Sequence, residues 1–155
     1  MHSDENNETV EPAEHMRFAR YIDALAQVPP ARETALIADV LADPDRAMAE
    51  SAVTRHLDRR ATELLADPEF PVWTASMGDT VARFPFLTRR LAEWSLFRAV
   101  STTGGHWEPG ALIAATDWLQ RKVSEHSASP QALRTLAEHG RTRRVRNAAR
   151  ARLNG

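Results

Sequence analysis

The last fifteen residues of the chain, 141–155, combine six arginines with a narrow apolar stripe. Val145, Ala149 and Leu153 recur at the spacing of one helical face, so this face can pack against a neighbouring helix. Guanidinium groups donate paired hydrogen bonds to carboxylates and phosphates. The pattern therefore predicts an edge helix that docks by its stripe and presents its arginines to water or to an acidic partner.

Two features in the second half of the chain are candidates for binding. Arg143, Arg146 and Arg150 follow the spacing i, i+3 and i+7, which places them on one side of a helix. Trp107 lies in the loop 104–109, where an aromatic side chain either closes the end of a helical core or is available to bind a ligand. The candidate binding residues are Arg141, Arg143, Arg144, Arg146, Arg150 and Trp107.

No arrangement of residues in the sequence predicts catalysis. The six histidines lack metal-ligand spacing, and His56 and Asp58 are two positions apart, which puts them on different helix faces. Asp43, Asp45 and Asp67 stand beside prolines and are explained as turn and cap residues. The chain has no cysteine and none of the common metal, phosphate-binding or nucleophile motifs. We predict no metal and no cofactor, and a small all-helical enzyme is the third alternative.

Charge is distributed unevenly along the 155 residues, although the formal net charge is only −1. Residues 1–14 contain five acidic side chains and no Lys or Arg, whereas residues 128–155 contain seven arginines against Glu138. The acidic start either screens the basic helix or is simply solvated. We expect the second, because chain termini are commonly loose.

Composition also bears on the location of the protein. No apolar run approaches the roughly 20 residues that cross a bilayer, and the N-terminus lacks the basic and apolar regions of a signal peptide. A chain without cysteine is compatible with a reducing compartment. We expect a cytoplasmic protein with no membrane partner.

Helical periodicity accounts for nearly the whole chain after a polar start. Residues 1–11 show no periodicity and are predicted to be a disordered acidic arm, while residues 12–155 are predicted to be a single helical domain. Prolines, caps and glycines divide that domain into about seven or eight helices of an all-α fold. The predicted helices are approximately 12–28, 31–42, 45–65, 68–78, 85–101, 109–126, 130–139 and 141–155.

An internal similarity links two segments of the chain. At an offset of 96, residues 35–57 align without a gap with residues 131–153. Each segment is predicted to be a helix of about ten residues, a tight turn and a second helix. Apolar or small residues meet at six aligned positions, which are Ile37/Leu133, Val40/Leu136, Leu41/Ala137, Ala52/Ala148, Val53/Ala149 and Leu57/Leu153.

Parts of both segments resemble HEAT-type repeats. Residues 145–149, Val-Arg-Asn-Ala-Ala, with Leu153 are similar to the second helix of such a repeat, and residues 43–45, Asp-Pro-Asp, resemble its inter-helix turn. Glu50 stands where the first copy would need the arginine, and residues 66–128 fit no repeat length. The resemblance implies a right-handed stack of antiparallel helix pairs with a concave inner surface. The alternative is another kind of helical bundle.

These observations favour a non-enzymatic, protein-binding module that uses an inner groove or the arginine-rich last helix. The alternative is nucleic-acid binding, in which the same arginines neutralise phosphates. That alternative would resemble the HEAT-like DNA glycosylases, which hold a duplex in a basic concavity. Those proteins are longer, and their catalytic aspartate has no match in this sequence.

Overall fold

The computed structural model describes the backbone from Glu5 to Gly155 and the side chains from Ala13 onward. Every regular element in that part of the chain is helical, so the predicted all-α class is confirmed. A 3-10 turn, Pro30–Arg32, precedes the second α-helix. The α-helices are α1 (Glu5–Gln27), α2 (Glu33–Leu41), α3 (Arg46–Leu64), α4 (Phe70–Thr80), α5 (Pro85–Ser101), α6 (Pro109–Ala114), α7 (Asp117–His126), α8 (Pro130–His139) and α9 (Arg143–Asn154).

Side-chain caps start four of these helices. In each case a Ser, Thr or Asp oxygen accepts the N–H of the residue three positions further on, which satisfies one of the free donors of the first turn. The predicted starts at Asp45 and at Ser129-Pro130 are confirmed. The four pairs are Asp45 with Met48 (3.1 Å), Thr116 with Leu119 (3.4 Å), Ser129 with Ala132 (3.2 Å) and Thr142 with Val145 (3.1 Å).

The prediction of one helix over residues 109–126 is wrong. The chain forms two helices there, α6 and α7, with Thr116 in an extended conformation between them. The backbone N–H of Thr116 donates to Glu93 Oε2 at 2.8 Å, and its hydroxyl donates to Glu93 Oε1. Because both donors of Thr116 bind this carboxylate, the first helix stops and Thr116 caps the second.

The beginning of the chain differs from its predicted boundary. Helix α1 begins at Glu5, inside the segment 1–11 that the sequence predicts to be disordered. Residues 1–4, and the side chains as far as residue 12, lie outside the described part of the structure. The acidic arm therefore stays a prediction.

The chain divides into two compact units, the first ending at Leu91 and the second covering Ala92–Gly155. The boundary lies inside α5, so the first unit holds α1 to α4 and the second holds α6 to α9. The prediction of a single domain over residues 12–155 stays a prediction.

In the first unit, α1 and α2 pack on α3, and α2 also packs on α4. The contacts follow from the buried stripes of these helices, since large apolar side chains meet small ones along α3. The side chains that form this core include Leu25, Ile37, Val40, Ala49, Ala52, Val53, Leu57, Ala61, Phe70, Trp73, Met77, Val81 and Leu87.

A buried carboxylate links three helices of this unit. Glu33 at the start of α2 accepts hydrogen bonds from His56 Nε2 (2.6 Å) and Arg60 Nε (3.0 Å) of α3, and from Trp73 Nε1 (3.2 Å) of α4. We call these four residues the Glu33 cluster. Burial raises the pKa of Glu33, but the three hydrogen bonds outweigh it and lower the pKa to about 2. The carboxylate is therefore ionised and tethers the three helices.

In the second unit, α9 packs on α8 and α7, and α6 and α7 pack on α8. Val145 and Ala149 are fully buried, as their spacing predicts. Leu153 remains 37% exposed, so the predicted apolar stripe of α9 is buried along only part of its length. The core of this unit includes Trp94, Phe97, Val100, Leu112, Ala115, Leu119, Val123, Ala132, Leu133, Leu136 and Ala137.

Candidate binding surface on the last helix

The first turn of α9 packs tightly against Gly140, the residue that follows α8. A Cβ atom at Gly140 would lie 2.6 Å from the carbonyl oxygen of Leu136 and 2.9 Å from Cγ1 of Val145. Only glycine allows this approach without a shift of the backbone. The orientation of α9, and therefore of its arginines, depends on this residue.

A buried glutamine fixes the same turn from the side of α7. The Oε1 atom of Gln120 accepts the backbone N–H of Arg141 at 2.8 Å, and its Nε2 donates to the carbonyl oxygens of Leu112 (2.9 Å) and Ile113 (3.0 Å). Gln120 is fully buried. Sequence reasoning missed this residue, since the only signal is its position next to Leu119 in the apolar stripe of α7.

Three of the six C-terminal arginines bind backbone carbonyl groups of their own unit. Arg141 Nη2 donates to Ala115 O (3.1 Å), and Arg146 Nη1 donates to Gly140 O (2.8 Å). Arg152 Nη1 donates to Ser124 O at 3.3 Å. These contacts help to hold α9 in place, and they interrupt the predicted line of arginines because the middle member, Arg146, turns back towards Gly140.

The other three, Arg143, Arg144 and Arg150, are exposed and form no hydrogen bond or ion pair with any residue that the structure describes. We call them the α9 arginine surface. Arg143 and Arg150 are seven positions apart, which puts them on one side of the helix with about 10 Å between them along the axis. Arg144 lies beside Arg143 around the helix.

The immediate surroundings of this surface carry few negative charges. Helix α9 has no acidic residue, and the second unit as a whole has ten Lys and Arg against five Asp and Glu. Glu93 accepts hydrogen bonds from Thr116, and Glu138 contacts His139 at 3.6 Å. The guanidinium charges of the α9 arginine surface are therefore not neutralised by the described side chains of this unit.

Trp107 lies elsewhere in the unit. It is half-buried and lines a cavity of about 360 Å³, together with the turn at residues 102–105 and the start of α8 at residues 128–131. Arg141 and Arg143 follow the other end of α8, a helix of ten residues that is about 15 Å long. Trp107 and these two arginines therefore lie towards opposite ends of α8.

The described residues include no group of three or more His, Cys, Asp or Glu side chains that could hold a metal ion. His56 and Asp58 point to different partners, Glu33 and Arg90, as their spacing predicts. No helix in the described part of the chain has the length and apolar character needed to cross a membrane. The absence of a cofactor stays a prediction.

Comparison of the chain with protein-family models, with curated proteins and with solved structures gives no match.

Proposed function

We propose that the chain is a non-enzymatic module that binds an acidic segment of another protein through Arg143, Arg144 and Arg150. The observation that carries the proposal is that these three guanidinium groups have no described carboxylate partner, although they lie together on a helix fixed by buried contacts. A rigid helix places charged groups at low entropic cost to binding. The free donors suit bidentate contacts with carboxylates.

The spacing of the α9 arginine surface supports a peptide partner. The axial distance of about 10 Å between Arg143 and Arg150 is close to the rise of about 9 Å over three residues of a polyproline II segment, in which side chains three residues apart lie on the same side. Two acidic side chains with this spacing would each meet one guanidinium group. Arg144 would extend the contact to one side.

The alternative function is nucleic-acid binding, which the same arginines would also support. The near-neutral chain, with a net charge of −1 and a sequence pI of about 6.6, lacks the broad basic character of most nucleic-acid-binding domains. Three free arginines would neutralise only a few phosphates. We therefore favour the peptide.

We further propose that α2–α3 and α8–α9 are two HEAT-like helix pairs of a right-handed, antiparallel stack. Burial at aligned positions supports this, since Val40 and Leu136 are both fully buried, as are Val53 and Ala149. Leu57 is buried whereas its equivalent, Leu153, is partly exposed. For a chain without cysteine we propose a cytoplasmic location.

Fluorescence anisotropy with a labelled twelve-residue glutamate peptide tests the binding proposal. We expect a dissociation constant on the order of micromolar at low salt, which weakens as salt screens the charges. A glutamine peptide of equal length should not bind. The double variant Arg143→Gln/Arg150→Gln should lose at least tenfold in affinity.

The matched control is Arg20→Gln/Arg89→Gln, which removes the same charge from two exposed arginines of the first unit. It should bind the glutamate peptide like the unmodified protein. An equal loss of affinity for the glutamate peptide in both double variants would show that the effect depends only on net charge. That result would overturn the proposal. Tight binding of a 20-base-pair duplex, lost in the α9 variant, without binding of the peptide would establish the nucleic-acid alternative instead.

A further inference from the structure

A second cavity lies between α1 and α3, within the first unit, and has a volume of about 260 Å³. Its walls differ in character, since α1 contributes apolar side chains whereas α3 contributes two guanidinium groups and an imidazole. The lining residues are Ile22, Leu25, Ala26, Ala52, Arg55, His56 and Arg59. The cavity is therefore amphipathic, with its positive charge on one side.

Arg59 is held across this cavity by three hydrogen bonds. Its Nη2 donates to the carbonyl oxygen of Leu25 at 3.1 Å and contacts His56 Nδ1 at 3.0 Å, while Nη1 donates to Glu63 Oε1 at 3.0 Å. The Nε–H and one Nη1–H remain without an acceptor among the described residues. Arg59 is thus positioned and still has donors for a ligand.

The tautomer of His56 follows from these contacts. Because a guanidinium group can only donate, His56 Nδ1 must accept the hydrogen bond from Arg59. The proton of the neutral ring is then on Nε2, which donates to Glu33 Oε2 at 2.6 Å. His56 is a positioning residue, since it connects the buried Glu33 carboxylate to the guanidinium of Arg59.

Arg55 supplies the second cation of the cavity. It is exposed, its Cζ lies 5.9 Å from the centre of the Phe18 ring, and it has no carboxylate partner in the described part of the chain. Arg55 and Arg59 are four positions apart and therefore lie on the same side of α3. Of these two arginines, Arg59 contacts Glu63, which also binds Arg60.

We propose that this cavity binds a small alkyl carboxylate, with the carboxylate on Arg55 and Arg59 and the alkyl chain against Ile22, Leu25 and Ala26. At about 260 Å³ the cavity is slightly smaller than the roughly 300–1,000 Å³ of typical small-molecule pockets, so the ligand is small. A neutral alkyl compound would leave the guanidinium donors unpaired, and an alkyl cation would be repelled.

The cavity lies in the first unit, so binding of a carboxylate there does not depend on binding by α9. The probe is hexanoate, titrated into the full chain labelled with ¹⁵N, with 1-hexanol and hexylammonium as charge controls. We expect saturable amide shifts at Ile22, Ala26 and Arg55, with a dissociation constant on the order of 1 mM for a ligand of this size. Hexanol should bind at least tenfold more weakly, and hexylammonium should not bind.

Two pairs of variants make the test specific. Arg55→Gln should weaken hexanoate binding about tenfold, as expected for the loss of a charge-assisted hydrogen bond, whereas Arg89→Gln should not. Ala26→Leu should fill the cavity and abolish binding, whereas Ala24→Leu, on an exposed position of the same helix, should not. Both Ala26 and Arg55 are exposed, so these variants should fold.

Three results would overturn the proposal. They are no saturable shift with hexanoate up to 20 mM, equal affinity for hexanol and hexanoate, and unchanged affinity in both Arg55→Gln and Ala26→Leu.

Discussion

Helices α3 and α9 both carry several arginines and a buried stripe of small residues, but their arginines have different partners. In α3, Arg59 and Arg60 each contact Glu63, at 3.0 and 3.1 Å, and Arg60 also reaches the buried Glu33. In α9, three arginines bind carbonyl oxygens and three have no described partner. Arg59 and Arg60 of α3 therefore contribute to the fold, whereas the α9 arginine surface is available for binding.

The local sequence explains the difference. Helix α3 contains carboxylates three or four positions from its arginines, such as Glu50 after Arg46 and Glu63 after Arg59. Helix α9 contains no Asp or Glu. The number of arginines in a helix therefore says less about binding than whether carboxylates are available to pair with them.

The largest effect is expected from the Glu33 cluster. Replacing Glu33 with alanine leaves Arg60, His56 and the indole N–H of Trp73 without their buried acceptor, so we expect a loss of about 3–5 kcal/mol in the free energy of unfolding. This loss is measured by urea unfolding monitored by circular dichroism. The control is Glu63→Ala, whose exposed ion pairs should contribute less than about 1 kcal/mol. A similar, small loss in both variants would contradict the assigned structural role.

The pH dependence of stability should show the contribution of the Glu33 carboxylate. The pKa of Glu33 is lowered from 4.5 to about 2 in the folded protein, so its contribution is present above the unfolded value and is lost as the pH falls from about 5 to about 2. The contribution is on the order of 3 kcal/mol at neutral pH. The difference in stability between the unmodified protein and Glu33→Gln should shrink over this range. A difference that is independent of pH would be inconsistent with an ionised Glu33.

A smaller effect is expected at the turn that orients α9. Gln120→Leu removes the acceptor of the Arg141 N–H and the donors to Leu112 and Ile113, which should cost about 2 kcal/mol. It should also weaken binding of the glutamate peptide, because α9 loses its fixed position. Gln131→Leu, at an exposed position of α8, is the control and should change neither property. Unfolding and anisotropy measurements on the same samples test both expectations.

The smallest effect on stability comes from making α9 resemble α3. Asn147→Glu places a carboxylate four positions after Arg143 and three before Arg150, at an exposed position. We expect the helix to gain about 0.3–0.5 kcal/mol and the glutamate peptide to bind at least fivefold more weakly. The control Ala75→Glu adds the same charge to α4 and should leave the affinity unchanged. Unaltered binding in Asn147→Glu would show that free guanidinium groups are not required.

Much of the fold follows from local signals in the sequence. Caps and prolines predicted α8 at residues 130–139 and α3 within one residue at each end, because a capping oxygen acts on its own first turn. The break at Thr116 was missed, since the carboxylate that causes it belongs to Glu93, 23 positions earlier. The Glu33 cluster was missed for the same reason, as its members come from three helices.

The candidate site was predicted in part. The burial of Val145 and Ala149 follows from helical spacing, and so does the exposure of Arg143, Arg144 and Arg150. Sequence spacing could not show that Arg146 turns back to Gly140, or that Arg60 reaches buried Glu33. Long flexible side chains choose partners in three dimensions, and these partners are set by packing.

The most direct test of the difference between α3 and α9 is an NMR titration of the ¹⁵N-labelled protein with the glutamate peptide, observed at the arginine Nε–H groups. We predict that the Nε–H signals of Arg143, Arg144 and Arg150 shift together, while those of Arg59 and Arg60 stay unchanged. Shifts confined to the arginines of α3, or no shift at any arginine, would contradict the account.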